Sequence, residues 1–351
     1  MFERSSILPL DQRKQRILKL IVHDYVQTAE PVASEFLVSR HRLEVRSATV
    51  RNEMAEMSEM GYLRQPHTSA GRVPSDLGYR FYVDRLMEPG TLRGDQRDAA
   101  RSAYGDLESD IEHILLETCR VLAYLTRYAS VATQTSGNEV EIRHVSLSAL
   151  QKDKLLLIIA FSDGRVEHRI LRGEALAKRE LAQVSAALED CLSDRTVGEV
   201  WSGAAVETPP QIARYADLFQ LAAGLVRQAA KNVLEGGVFV DGTGYILRQP
   251  EFQDVHRAEA LLEALEQRRS LFNMLSTALL GPETFVVIGS ENPCAEMREC
   301  SFVASRYQIA GRSGGAIGVV GPTRMDYRRA VAAVRFMANS LTDLLTSLSI
   351  G

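Results

Sequence analysis

The sequence predicts an α+β fold that opens with a winged helix-turn-helix and continues into a sheet-bearing domain interrupted by a mostly helical insertion. Within the first ninety residues, short helical patterns lead to two brief strand signals around a polar tip. Further on, strand signals fall on both sides of a stretch rich in Ala, Leu, Glu and Gln, so that sheet, helices and sheet follow one another. The length of 351 residues, with 45% hydrophobic and 25% charged side chains, suits an ordinary globular chain of about two to three domains.

Asp11 is placed to cap a first helix, whose Ile17, Leu18, Ile21 and Tyr25 share one face. Pro31 stops the chain before a shorter second helix with Phe36 and Leu37. After the polar turn Arg40-His41-Arg42, Ser47 is placed to cap a third helix with Val50, Met54 and Met57 on its inner face. The opposite face carries Ala48, Thr49 and Asn52 in the first turns, with Arg51 at its edge; Glu56 and Glu59 come only later. Carboxylates at the tip of a major-groove helix would meet phosphates, whereas small and amide side chains can approach base edges, and Asn can bond adenine through two hydrogen bonds.

Residues 61–65 and 72–74 then read as two short strands around 66–71. Between Gly61 and Ser75 stand two arginines, Arg64 and Arg72, and no carboxylate, a hairpin suited to phosphates. The same pattern also fits a three-helix core whose hairpin makes only protein contacts.

A Pro-Gly break at 89–90 marks the first boundary. Beyond it Tyr104, Leu107, Ile111, Ile114, Thr118, Val121, Leu125 and Tyr128 recur at steps of three and four, a long amphipathic helix ending near 133–138. Strands are expected at 144–150, 154–161 and 166–171, then helices at 174–192, 211–235 and 255–279, broken by Pro209-Pro210 and by a small strand and turn at 237–247. Strands return at 284–288, 300–309 and 316–320, and a closing helix over 325–348 carries a second apolar stripe able to pair with the first. The domains are therefore expected at 1–88, at 89–171 together with 281–351, and, as the insertion, at 172–280.

Net charge is −4, and it is spread mildly: residues 1–88 hold 13 basic against 12 acidic side chains, the remainder 28 against 33. The balance alone does not point to nucleic acid; the placement of the charges does. No stretch approaches the roughly 18 consecutive apolar residues of a membrane helix, and the first residues begin no signal peptide, so a soluble, cytoplasmic protein without a membrane partner is expected. The four cysteines form no C-x-x-C pair and the seven histidines no H-x3-H or H-E-x-x-H, so reduced structural thiols, no metal and no cofactor are expected.

Gly311-Arg312-Ser313-Gly314-Gly315 matches the G-x-S-x-G elbow of serine hydrolases. An elbow needs a helix after its turn, yet 316–320 reads as a strand, and the last histidine, His256, precedes Ser313. A glycine-rich hairpin turn is the better reading, and no catalytic residue is expected. The glycine spacing fits neither G-x-G-x-x-G nor a P-loop.

The segments ILKLIVHDYVQTAEPVAS (17–34), SATVRNEMAEMSEMGYL (47–63) and RQPHTSAGRVPSDLGYRFYVDRLM (64–87) resemble the heat-inducible transcription repressor family HrcA. So do GGVFVDGTGYILRQPEFQDV (236–255) and ENPCAEMRECSFVASRYQIAGRSGGAIGVVGPTRMDYRRA (291–330). The resemblance covers nearly the whole chain, most loosely at 90–140 and 172–235, and departs in the methionine-rich segment Met54, Met57 and Met60. It implies a winged helix joined to a GAF-like domain that carries an inserted, mostly helical dimerising domain. It further implies a non-enzymatic repressor of chaperonin and Hsp70 operons, a homodimer on an inverted-repeat operator in double-stranded DNA, with chaperonin as modulator of its activity.

On this reading Ser47 opens the recognition helix and Thr49 and Asn52 meet base edges. Arg51 meets the groove rim or a phosphate, and Arg64, His67, Thr68, Ser69 and Arg72 hold the backbone from the wing. Because GAF-like folds often hold small ligands, the alternative is a small-ligand-responsive winged-helix regulator.

Overall fold

The computed structural model describes residues 10–350 except 69, 103–110, 135–139, 152, 163, 173–175, 204–205, 236, 268–270, 272–274 and 276–282. It is a mixed helix and sheet protein, as expected. Its contacts divide the chain into two compact units, one of Met1–Gly105, Leu116–Ala132 and Val240–Gly351, the other of Asp106–Leu115 and Thr133–Phe239.

The first unit opens with α1 (Gln12–Thr28), capped as expected by Asp11, whose carboxylate accepts from Lys14 N at 2.9 Å. Ile17, Leu18 and Ile21 are buried on its inner face, and Ala29 in the left-handed region ends it. Next come α2 (Ser34–His41) and α3 (Ser47–Glu59). Ser47 does not cap α3: Val50 N donates to Arg46 O at 3.2 Å, so Arg46 is the cap residue and Ser47 the first helical one. The wing pairs β1 (Leu63–Arg64) antiparallel with β2 (Val73–Pro74). Val32, between α1 and α2, adds a third rung by exchanging two 2.9 Å hydrogen bonds with the backbone of Arg72. A single residue has no periodicity, so this rung left no trace in the pattern. Helix α4 (Asp76–Phe81), capped by Ser75, follows directly.

Helices α5 (Gly94–Ser102) and α6 (Ile111–Thr126) come next. Tyr104 and Leu107 lie outside the described residues. Helix α6 ends earlier than expected, because Arg127 turns into the left-handed region at φ 63° and β3 (Ala129–Gln134) begins at once. All six residues of β3 are buried. They are small or polar, and their burial on both faces removes the alternation by which an amphipathic strand is recognised.

In the second unit β4 (Ile142–Gln151), β5 (Lys154–Phe161) and β6 (Val166–Arg172) form an antiparallel meander. Leu155, Leu157, Ile159 and Phe161 alternate inward from β5 and meet α7 (Lys178–Leu192) and α9 (Ala216–Glu235); α8 (Val197–Ser202) packs on α9. The boundary expected at 171–172 is thereby corrected: the meander shares its core with the helices, which cover its apolar face, and belongs with them rather than with the later strands.

The chain then runs through β7 (Val238–Asp241), α10 (Thr243–Ile246), α11 (Val255–Glu266), β8 (Thr284–Ile288), β9 (Cys300–Ile309), β10 (Arg312–Pro322) and a C-terminal helix, Tyr327–Ile350. Most of 267–279, the expected tail of α11, lies outside the described residues. One five-stranded sheet, in the order β7-β3-β10-β9-β8, gathers these strands with β3. Ala333, Val334, Met337, Leu341 and Leu345 of the C-terminal helix are buried against β9 and β10, so its stripe covers the sheet rather than pairing with α6.

The Pro-Gly break at 89–90 is not a boundary between units either. Arg80 of α4 donates to Val286 O at 2.6 Å and is bonded to the Glu291 carboxylate. Arg324 joins Val26 O, at the end of α1, to Glu251. Among the described residues, no helix is long and apolar enough to cross a membrane.

Candidate nucleic-acid interface

Packing fixes how α3 is presented. Val50, Met54 and Met57 are buried in the three-helix core, which leaves Ala48, Arg51 and Asn52 exposed and Thr49 and Ser47 half-buried. The side chains expected to read bases therefore stand on an open surface.

Two of the three carboxylates of α3, Glu53 and Glu56, are drawn to α1. Lys14 of α1 lies 2.8 Å from Glu53 and 3.0 Å from Glu56, and Arg13 reaches Glu53 at 3.3 Å. Glu53, Asp11 and Glu56 together hold the Lys14 ammonium well above the usual lysine range. The charges of Glu53 and Glu56 are thus neutralised on the flank facing α1, and the first turns of the outer face are left to neutral and cationic groups, with the exposed Glu59 only at the far end of the helix.

Two further arginines, absent from the sequence-based set, flank the start of α3. Arg42 and Arg46 are exposed and have no partner among the described residues. Their signal was two arginines within the five residues before a recognition helix, a turn read there only as polar. Behind them, buried Asp24 ties α1 to α2 through His41 Nε2 at 2.8 Å and Arg40 at 3.4 Å.

The wing is braced by its own backbone. Gln65 Nε2 donates to Thr68 O at 2.8 Å and to Ala70 O at 2.9 Å, while Ala70 N donates to His67 O at 2.9 Å. His67 and Thr68 are exposed at the tip; Ser69 lies outside the described residues. Arg64 is exposed on β1 without a partner among the described residues. Arg72 is half-buried, and its Nε donates to Ser58 Oγ at 2.9 Å, which fixes the guanidinium against the far end of α3.

Between the wing, α2 and α3 lies a concavity of about 380 Å³. Arg51, Thr68 and Arg72 line it together with Ser34, Gln65 and Met54; Arg64 and His67 do not. The structure thus brings three of the expected contact residues into one hollow and sets two beside it.

Elsewhere the chemistry is plain. Ser313 lies in β10 at a bulge in the β9–β10 pairing, with strand on both sides, so no strand–turn–helix elbow is built. All four cysteines are free, and burial pushes the Cys119 and Cys300 thiols up to about 12. Among the described residues no group of three or more His, Cys, Asp or Glu gathers as for a metal ion.

The family model described as "HrcA protein C terminal domain" matches residues 112–331. A protein of Carboxydothermus hydrogenoformans named "Heat-inducible transcription repressor HrcA" is 38% identical over 338 residues, 96% of this chain and 98% of its own length. One of Moorella thermoacetica with the same name is 37% identical over 345 residues, 97% of this chain and 99% of its own. A crystal structure described as that of a hypothetical protein superposes with a TM-score of 0.66 at 23% identity, over 97% of this chain and 100% of the other. That likeness speaks for the fold alone.

Proposed function

Since the chain belongs to the HrcA family of heat-inducible transcription repressors, we propose that residues 10–88 are its DNA-binding head. In this reading α3 enters the major groove, the wing lies on the backbone, and two copies address the arms of an inverted-repeat operator ahead of chaperone genes. The observation that carries it is the division of α3: an open face of Ala48, Thr49, Arg51 and Asn52, with Glu53 and Glu56 drawn back to Lys14.

Thr49 and Asn52 meet base edges, and Arg51, Arg72 and Thr68 meet phosphates from the shared concavity, with Ser47 at the helix entry. Arg64 and His67 contact the backbone beside it, and Ser69, outside the described residues, is assigned a backbone contact from the sequence alone. Arg42 and Arg46 add charge where the duplex approaches. A two-fold protein matches a palindromic site because dimerisation fixes the spacing of the recognition helices.

The five-stranded sheet with its covering C-terminal helix is read as the GAF-like domain, and the unit of β4–β6 and α7–α9 as the dimerising insertion. The protein acts without catalysis in the cytoplasm, with chaperonin as modulator. The alternative of a small-ligand-responsive regulator draws no support from its relatives, whose names speak of heat induction.

The test is a gel-shift salt series. Asn52→Ala is expected to cost about 1–3 kcal/mol on an inverted-repeat operator with little effect on random DNA. Arg72→Ala weakens both and lowers the salt slope by about 1. Equal losses on operator and random DNA for Asn52→Ala would remove it from base reading.

A further inference from the structure

The concavity between wing and helices contains a group that the recognition scheme leaves unused. Ser34, the first residue of α2, is only 7% exposed, lines the hollow, and has no hydrogen-bond partner for its hydroxyl among the described residues. The residue is largely buried, yet its oxygen keeps some access to the hollow, so the hydroxyl is free to donate to a group seated there. The N-terminus of α2 is uncapped as well: Ala33 occupies the cap position and offers no side-chain acceptor, so the first N–H groups of the helix lack one.

Two cations face the same space. Arg72 commits only its Nε to Ser58, which leaves both terminal nitrogens without partners among the described residues. Arg51 stands at the rim, 3.4 Å from Glu35. No carboxylate lines the hollow, and Glu35, next to Ser34 in sequence, is exposed and paired with Arg51.

Hydroxyl donor, helix N-terminus and guanidinium converging on one hollow make a receptor for a tetrahedral oxyanion. We infer that this hollow is an anion subsite built around Ser34, and that it seats a single phosphodiester of the duplex. The inference rests on the reading of residues 10–88 as a duplex-binding head. It goes further in making α2, rather than only α3 and the wing, a point at which register on the DNA is set. Ser34 acts there as a neutral donor, so it contributes affinity without contributing to counter-ion release.

The test uses the full chain with Ser34→Ala, Ser34→Thr and Ser34→Asp variants, an inverted-repeat duplex and a random duplex. Ser34→Ala is expected to lose about tenfold in affinity on both duplexes, the order of a hydrogen bond to a charged group, with the salt slope and melting temperature unchanged. Ser34→Thr keeps the hydroxyl and binds both; Ser34→Asp sets a carboxylate in the subsite and loses at least a hundredfold. Ser34→Ala binding both duplexes within twofold of the parent would overturn the subsite. A parent chain that binds neither duplex would overturn the DNA-binding reading instead, and inorganic phosphate then decides the subsite. Millimolar phosphate shifting the amide resonances of Ser34, Glu35 and Phe36 in the parent but not in Ser34→Asp retains it; no shift removes it.

Discussion

Lys14 acts on the recognition surface from a position outside it. Its side chain, 13% exposed, gathers Asp11, Glu53 and Glu56 within 3.0 Å, so two of the three glutamates of α3 present no free negative charge to an approaching duplex. Replacing it by Met removes the ammonium but keeps the aliphatic stem. Stability is expected to fall by about 1 kcal/mol, the scale of a partly exposed ion-pair network, as read by urea denaturation. Because these carboxylates raise the lysine above its unfolded value, that contribution is full at neutral pH and fades only as pH climbs past the ordinary lysine range. Affinity for any duplex should drop as well, and the deficit should shrink with added salt because it is electrostatic. Glu53→Gln added to Lys14→Met should restore much of it. A deficit that Glu53→Gln leaves unrelieved would mean that Lys14 touches DNA itself.

At the scale of elements, the wing hangs on the rung between Val32 and Arg72. Gly71 makes that rung possible: a Cβ there would stand 2.4 Å from the Val32 carbonyl, nearer than real contacts come. Gly71→Ala must therefore push the strands apart. It is expected to cost about 1–3 kcal/mol and to strip hydrogen-exchange protection from the Val32 and Arg72 amides, while those of α1 stay protected. Protection retained at both amides would show that the rung can yield without breaking. Sequence pattern could not reveal this element, and the reason is general to the fold. The expected strands 154–161, 284–288 and 300–309 coincide with β5, β8 and β9, because alternation or an apolar run bounded by turn residues announces a strand by itself. Helices α1 and α3 were legible by their three-four spacing, and with them the open face of Ala48, Thr49 and Asn52. Three things were not. The single rung at Val32 has no period; β3 is composed of residues too small and polar to mark a strand; and the partner of the β4–β6 meander is settled by which apolar face covers it, which only tertiary packing decides. At the interface, Arg51, Thr68 and Arg72 were each visible as polar residues in a basic segment, but their convergence with Ser34 depends on the path of the chain between α1 and α2.

For the molecule as a whole, the consequence is that the reading head is no freely tethered module. Within the first unit it is bolted to the sheet-bearing part by two arginines, each bonded to a carboxylate. Burial lowers the pKa of Arg324, and hydrogen bonding to Glu251 more than restores it; Arg80 stands in the same relation to Glu291. Around them Asp76 accepts from Ser290 N at 2.8 Å, and the rings of Tyr79 and Tyr327, both buried, lie 5.6 Å apart. The direction in which α3 points is thus set by the sheet, and any change that loosens this dock also changes how two heads would span an operator. Arg324→Ala isolates the effect. It leaves Glu251 and the Val26 carbonyl without their partner, and a loss of about 2–4 kcal/mol is expected from thermal or urea unfolding, tempered because Glu251 is partly solvated. Arg324→Met with Glu251→Leu removes both charges together and should recover most of that stability, since an apolar pair avoids the stranded carboxylate. Neither variant touches a phosphate-binding group, so random-DNA affinity and its salt slope should stay at the parent values while preference for the inverted repeat declines in both. If the operator preference survives in a variant whose dock is demonstrably loosened by hydrogen exchange across 249–251 and 324–327, then the spacing of the heads is governed elsewhere, and the docking arginines serve stability alone.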